Sequence, residues 1–188
     1  MSNSNINIDK TGWSFDNTYS NLSSDFHVKQ KPVPVKSPNL IILNKNISKD
    51  LNLDFTNISK ENLSQLFSGN LLPSGSESIA QAYAGHQFGN FTMLGDGRAI
   101  LMGEHLSKTG ERYDIQFKGS GKTPFSRGGD GRAALGPMLR EYIISEAMHN
   151  LRVSTTRSLA VVETGESVIR ETLLPGAILT RIASSHIR

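Results

Sequence analysis

Apolar residues recur along the whole chain, and the spacing between them predicts different elements in different places. Leu40-Ile-Ile-Leu43 is a continuous apolar run and predicts a short strand. Leu63 and Leu66 follow Ser59, an N-cap residue type, and precede Gly69, so a helix is expected between them. A second short helix is expected from Ser76 to Ala84, capped by Ser76 and stopped by Gly85. Beyond it the pattern becomes that of strands. Phe91 to Leu94 and Arg98 to Glu104 flank the turn Gly95-Asp96-Gly97, and Ser107-Lys-Thr-Gly110 leads into a strand ending at Lys118.

The longest helical pattern starts near Pro137 and runs to about Leu151. Its apolar residues cover most of its circumference, so burial on more than one side is expected. Ser158 to Val162 and Ser167 to Glu171 then flank Glu163-Thr-Gly-Glu166 and read as a hairpin, and Ala177 to Ala183 is a further strand. Three strands, one helix and two or three strands form the layout of the small lobe of a kinase-like fold. The fold class is α+β, with an antiparallel sheet of about five strands plus one main helix.

Composition divides the chain near residue 75, because twelve of the fourteen asparagines precede that point and fourteen of the seventeen glycines follow it. Residues 1 to 75, with the extended segment Lys31-Pro-Val-Pro-Val-Lys-Ser-Pro38, read as an ordered N-terminal extension that wraps the lobe of residues 76 to 188. A net charge of +3 is too small to argue for nucleic acid or an acidic membrane. With no cysteine there is no disulfide framework, thiolate metal site or cysteine nucleophile. The N-terminus has neither the basic start nor the apolar core of a signal peptide, and no apolar run spans a membrane. A cytoplasmic location is expected.

Candidate chemistry concentrates around glycine. A glycine turn between strands, with a lysine on the next strand, is how kinase-like folds hold a nucleotide triphosphate. Against this, Asp-Gly is also a plain hairpin signal, and the third glycine of the kinase pattern is replaced here by Ile100. Arg98 strengthens the phosphate reading, since a guanidinium can grip two phosphate oxygens at once. Gly119-Ser-Gly-Lys-Thr123 is not a P-loop, because position 116 is Gln where that motif needs Gly and no helix opens there. The loop from Lys118 to Arg132 carries Lys118, Lys122, Arg127 and Arg132 against Asp130 alone, which fits phosphate, a plain surface loop or an RNA-contacting segment without its aromatics. Glu141 and Glu146 are both placed to pair with Lys118, and helical spacing does not choose between them. Arg181 sits in an apolar strand on one face with Leu179 and Ala183, so it must be paired or bind an anion. No pair of histidines has metal-ligand spacing.

Longer strings carry more. Ala82-Tyr-Ala-Gly-His-Gln-Phe-Gly89, Leu94-Gly-Asp-Gly-Arg-Ala99, Lys118-Gly-Ser-Gly121, the run from Thr123 to Tyr142, and Leu179-Thr-Arg-Ile-Ala-Ser-Ser-His-Ile-Arg188 closely resemble the selenoprotein O (YdiU) family. The resemblance is dense over roughly residues 60 to 188. It implies a protein kinase-like fold that binds ATP in an inverted pose and transfers AMP to Ser, Thr or Tyr hydroxyls of proteins. By motif, Gly95, Gly97 and Arg98 would line the phosphates. Lys118 would contact phosphate with Glu141 as its partner, Asp130 and Gly131 would contact nucleotide, and Arg181 and Arg188 would complete the cationic cradle.

The same resemblance implies Mg²⁺ or Mn²⁺, held with the catalytic aspartate on a larger second lobe C-terminal to Arg188. Residues 1 to 188 are therefore expected to hold neither catalytic nor metal-binding residues, to be inactive alone, and to expose apolar surface where the second lobe belongs. The partners implied are ATP and protein substrates, without nucleic acid or membrane. The alternative is a truncated module that binds nucleotide or protein without catalysis.

Overall fold

A computed structural model describes residues 8–87 and 89–186. Among these residues nine strands and three α-helices follow one another: β1 (His27–Lys29), β2 (Asn39–Leu43), α1 (Lys45–Asp50), α2 (Lys60–Phe67), β3 (Ile79–Gln87), β4 (Asn90–Gly95), β5 (Ala99–Leu106), β6 (Arg112–Lys118), β7 (Ala133–Ala134), α3 (Leu135–Asn150), β8 (Arg157–Ile169) and β9 (Leu173–Ala183). The strands form one antiparallel sheet in the order β1-β3-β5-β6-β9-β8-β2, with β4 added to β3 and β7 to β9. This α+β arrangement is compatible with a kinase-like small lobe, but its nine strands exceed the expected five. Part of the excess comes from residues 8–75, whose β1 and β2 pair with β3 and β8.

Strand alternation sorts the two faces of the sheet. Ile115 and Phe117 of β6, Ile178 and Ile182 of β9, and Met102 of β5 join Leu51, Leu66 and Phe67 in the larger core. Each such fully buried large side chain contributes about 1.5–3 kcal/mol. On the opposite face, Leu179 and Ala177 of β9 and Val161 of β8 pack against Met138, Leu139 and Tyr142 of α3. Asp114, Gln116 and Lys118 of β6 alternate with its core residues and so share the α3 side of the sheet. That side carries the site.

Several expectations hold. Leu40-Ile-Ile-Leu43 is a strand, and Ser59 caps α2 by accepting from the Asn62 N–H at 3.2 Å. The strand before Lys118 and the long helix are also present.

Four expectations fail. Ser76 to Ala84 is not a helix; residues 79–87 form β3, whose alanines and glutamine favour helix but which is claimed on both edges by β1, β4 and β5. Tertiary pairing outweighs intrinsic propensity there. Gly95-Asp96-Gly97 is not a hairpin turn, because β4 and β5 both pair with β3 and the turn is a corner between them. Glu163-Thr-Gly-Glu166 is not a hairpin either. It is a bulge inside β8, where Thr164 Oγ1 bonds the Glu166 backbone, and the reversal comes after Ile169. Helix α3 is not buried on several sides, since only Met138 and Ser145 are fully buried while Ile143 and Ile144 are 62% and 52% exposed.

Candidate functional site

A cavity of about 690 Å³ opens on the α3 side of the sheet, between the 95–98 corner, the 125–132 loop, the end of β8 and strand β9. Six cationic residues (Arg98, Lys118, Arg127, Arg132, Arg170 and Arg181) and two acidic ones, Asp96 and Asp130, are among those that line it. Gly95, Gly97, Arg98, Lys118, Asp130, Gly131 and Arg181, all singled out from sequence, meet at this one cavity. Arg188 lies outside the described residues.

At the floor, Lys118 Nζ donates to Glu141 Oε2 at 2.5 Å, and Arg181 Nε donates to Glu141 Oε1 at 2.5 Å. The three side chains are 15%, 24% and 14% exposed, so one carboxylate separates two half-buried cations. Burial favours the neutral acid at Glu141, but Arg181 and Lys118 outweigh it and hold the carboxyl below its ordinary value. Burial, then the Arg181 charge, push Lys118 below the ordinary lysine value despite the Glu141 contact, and Arg98 adds to the push. Glu146, the other candidate, is occupied elsewhere: it takes Arg157 at 2.7 and 2.8 Å, the Ser158 N–H and the Asn44 amide. The arginine stranded on an apolar face thus finds its acid in α3.

The glycines of the corner answer to packing. A Cβ on Gly95 would overlap the Phe125 ring, and one on Gly97 would lie 2.7 Å from the Phe125 carbonyl oxygen. The 123–126 segment is fastened there by Thr123 Oγ1 to Asp96 O (2.6 Å) and Ser126 Oγ to Gly97 O (2.5 Å). Gly131 adopts φ +67, and a Cβ there would overlap the Gly121 carbonyl oxygen, so no side chain fits. Asp130 accepts two hydrogen bonds from Arg170 at 2.7 and 3.1 Å, which hold its carboxyl below the usual range.

The loop cations divide. Arg132 is turned toward the proline-punctuated segment, donating to the carbonyls of Val33 (3.2 Å) and Pro34 (3.3 Å), and lies 3.6 Å from Glu166. Arg127 donates to Gln87 at the tip of β3. Sequence reasoning missed Arg170, whose place depends on β8 running unbroken through its bulge. It also missed Gln116, although the alternation Asp114-Gln116-Lys118 was a legible signal for it. Among the described residues, no group of three or more His, Asp or Glu suits a metal ion. Among the described residues, no helix is long and apolar enough to cross a membrane.

Comparison with known proteins gives a family for the chain. The family described as protein adenylyltransferase SelO matches residues 10–188. A protein nucleotidyltransferase YdiU of Pelagibacter ubique is 68% identical over 177 residues, 94% of this chain and 37% of the relative. Proteins of the same name from Nitrosococcus oceani and Brevibacillus brevis are 66% and 64% identical over 94% of this chain and 36% of their own lengths. The chain thus spans little more than a third of the curated relatives it matches. By the extent of the family match, the chain belongs to the protein adenylyltransferase SelO family.

Proposed function

We propose that this chain forms the ATP-holding part of a protein adenylyltransferase, which moves AMP from ATP to Ser, Thr or Tyr hydroxyls of proteins and releases pyrophosphate. The carrying observation is the Lys118–Glu141–Arg181 arrangement at the floor of a cationic cavity. The volume, about 690 Å³, lies within the ordinary range for small-molecule sites, and the excess of cations suits a polyphosphate.

In this reaction the hydroxyl oxygen bonds to the α-phosphorus as the bond from that phosphorus to the bridging oxygen breaks. The hydroxyl proton goes to a base, for which the family resemblance supplies an aspartate beyond Arg188. The electron pair leaves with pyrophosphate, so negative charge grows on the β and γ phosphates. Lys118 and Arg181, both fixed beforehand by Glu141, and Arg98 are the groups that would meet this charge. Gly95, Gly97, Asp130 and Gly131 would shape the wall along the nucleotide. Mg²⁺ or Mn²⁺ remains an implication of the resemblance; among the described residues no three carboxylates or imidazoles come together to hold one, and the roles given to Lys118, Arg181 and Arg98 do not depend on it.

The test uses the longest polypeptide that the native gene encodes, with Mg²⁺ or Mn²⁺ and ATP labelled at the α or the γ phosphate. Protein labelled only from the α position, with the label lost in Lys118→Ala by about 100-fold or more, is the expected result. Label from the γ position makes the protein a kinase and overturns the reading. The 188-residue chain alone is expected to transfer nothing, and AMP transfer by it overturns that part. ATP binding without transfer by the longest chain favours the non-catalytic module.

A further inference from the structure

We propose that Gln116 is a positioning residue that locks the Arg181 guanidinium by bridging it to the buried carboxylate of Asp96. The proposal rests on the adenylyltransferase reading of the cavity.

Gln116 is fully buried, at 0% exposure, on the site side of β6. It is the register partner of Arg181 across β6 and β9. Its Oε1 accepts from Arg181 Nη1 at 3.2 Å, and its Nε2 donates to Asp96 Oδ2 at 3.3 Å. Asp96 is 4% exposed and is itself tied down, its N–H donating to Gln81 O at 2.9 Å and its carbonyl accepting from Thr123. Arg181 is held on its other edge by Glu141 at 2.5 Å. A continuous path therefore runs from α3 through Arg181 and Gln116 to the 95–98 corner.

Chemistry explains why an amide stands in the middle. An ionised carboxylate only accepts and a guanidinium only donates, so the group between them must donate to one and accept from the other. Glutamine does both, in one orientation. Asp96 claims the NH₂ end, which leaves Oε1 for Arg181. Glutamate at 116 would repel Asp96 and compete with Glu141 for the arginine. An apolar residue would remove one donor from Asp96, whose Oδ2 also accepts from the Gln81 N–H at 3.4 Å, and would leave the guanidinium held by Glu141 on one edge only. With both edges held, the plane of Arg181 is set before the phosphates arrive, which is the condition for full electrostatic stabilisation of a developing charge.

The experiment is a double-mutant cycle in the longest polypeptide of the native gene, reading kcat/KM for ATP in α-label transfer. Gln116→Met keeps the volume and removes both hydrogen bonds. Its expected loss is about 10-fold in the native background and less than about 2-fold in Arg181→Met, because the effect runs through that arginine. Gln116→Glu, of nearly unchanged shape, is expected to lose at least as much and guards against a folding failure of the first variant. Equal losses in both arginine backgrounds, or native activity in Gln116→Glu, overturn the relay and leave the adenylyltransferase reading standing. An unsubstituted chain that neither binds ATP nor transfers α label overturns that reading, and the role of Gln116 with it.

Discussion

Lys118 Nζ and Glu141 Oε2 meet at 2.5 Å between strand β6 and helix α3, and the second oxygen of the same carboxylate holds Arg181. One acid thus keeps two cations side by side at the floor of the cavity. Removing its charge leaves the two cations facing each other. Glu141→Gln is therefore expected to destabilise the fold by about 1–3 kcal/mol, below the figure for a fully buried pair because the site is partly open. It should also abolish most nucleotide binding. The carboxyl is held below its ordinary value of about 4.5 by Arg181 and Lys118 against burial, so its contribution is complete above that pH and is lost as pH falls through the lowered value. Urea unfolding of the native and Glu141→Gln forms between pH 3 and 7 measures both effects, and parallel pH profiles would count against the assignment.

Lys118 carries a second pH signature. Burial and the neighbouring Arg181 push its ammonium below the ordinary 10.5. A polyphosphate needs the charged form, so ATP affinity is expected to fall as pH rises, at a pH below 10.5. Lys118→Arg keeps its charge throughout and should flatten the upper limb. Equilibrium binding from pH 7 to 10 decides it; identical profiles for the two forms speak against Lys118 as the phosphate ligand.

How much of this was legible in the sequence differs by element. Strands with local turns, such as β5 and β6, and a helix with its own cap, such as α2, were readable because their signals are local. β3 was not, since alanine and glutamine favour helix and only its neighbours make it a strand. The β8 bulge was misread because Thr164-Gly165 resembles a turn and in fact interrupts a strand that continues. At the site, individual candidates were readable from charge and glycine, and Arg181 could be flagged as needing a partner. Choosing Glu141 over Glu146 took the three-dimensional pairing of Glu146 with Arg157 or a family resemblance. Arg170 had no local signal, because its meaning comes from the loop folded against it.

That loop gives the next prediction. Arg170 holds both oxygens of Asp130 and donates to the Arg132 carbonyl at 2.9 Å, fixing residues 130–132 at the cavity wall. The Arg170 and Asp130 side chains are 38% and 45% exposed, so solvent screens the pair and Arg170→Ala should change stability by less than about 1 kcal/mol. ATP affinity is expected to fall about 3- to 10-fold, as the wall loosens around Asp130 and Gly131. Titration calorimetry beside a thermal melt separates the two readings, and unchanged affinity would remove Arg170 from the site.

Away from the site, His105 is 1% exposed, with its Nδ1 accepting from the Ser14 N–H at 3.2 Å and its Nε2 bonded to Leu51 O at 2.8 Å. Nε2 therefore carries the proton and the ring is neutral. Burial pushes it below the ordinary 6.5. The unfolded chain then binds the extra proton first, so the stabilising effect is whole above about pH 6.5 and diminishes as pH falls toward the lowered value. Denaturation midpoints should drop between pH 7 and 5 in the native chain, and drop less in His105→Gln. An equal drop in both would place the pH dependence elsewhere.

Gly97 and Gly136 make opposite predictions from one substitution. A Cβ on Gly97 would stand 2.7 Å from the Phe125 carbonyl oxygen and 3.2 Å from the Ser126 α-carbon, and neither is the movable end of a side chain. Gly97→Ala must therefore shift the 123–126 segment and strain its bonds to Asp96 and Gly97, at a cost of about 1–3 kcal/mol. Because the segment and the corner both line the cavity, ATP affinity should fall with it. Gly136 lies in the first turn of α3 with nothing within 4 Å of an added Cβ. Gly136→Ala is expected to stabilise by up to about 0.5–1 kcal/mol, since alanine restricts the unfolded chain and favours helix. Melting both variants beside the native chain tests the pair. A stable Gly97→Ala with native ATP affinity would mean that the corner is not held by Phe125 as the packing requires.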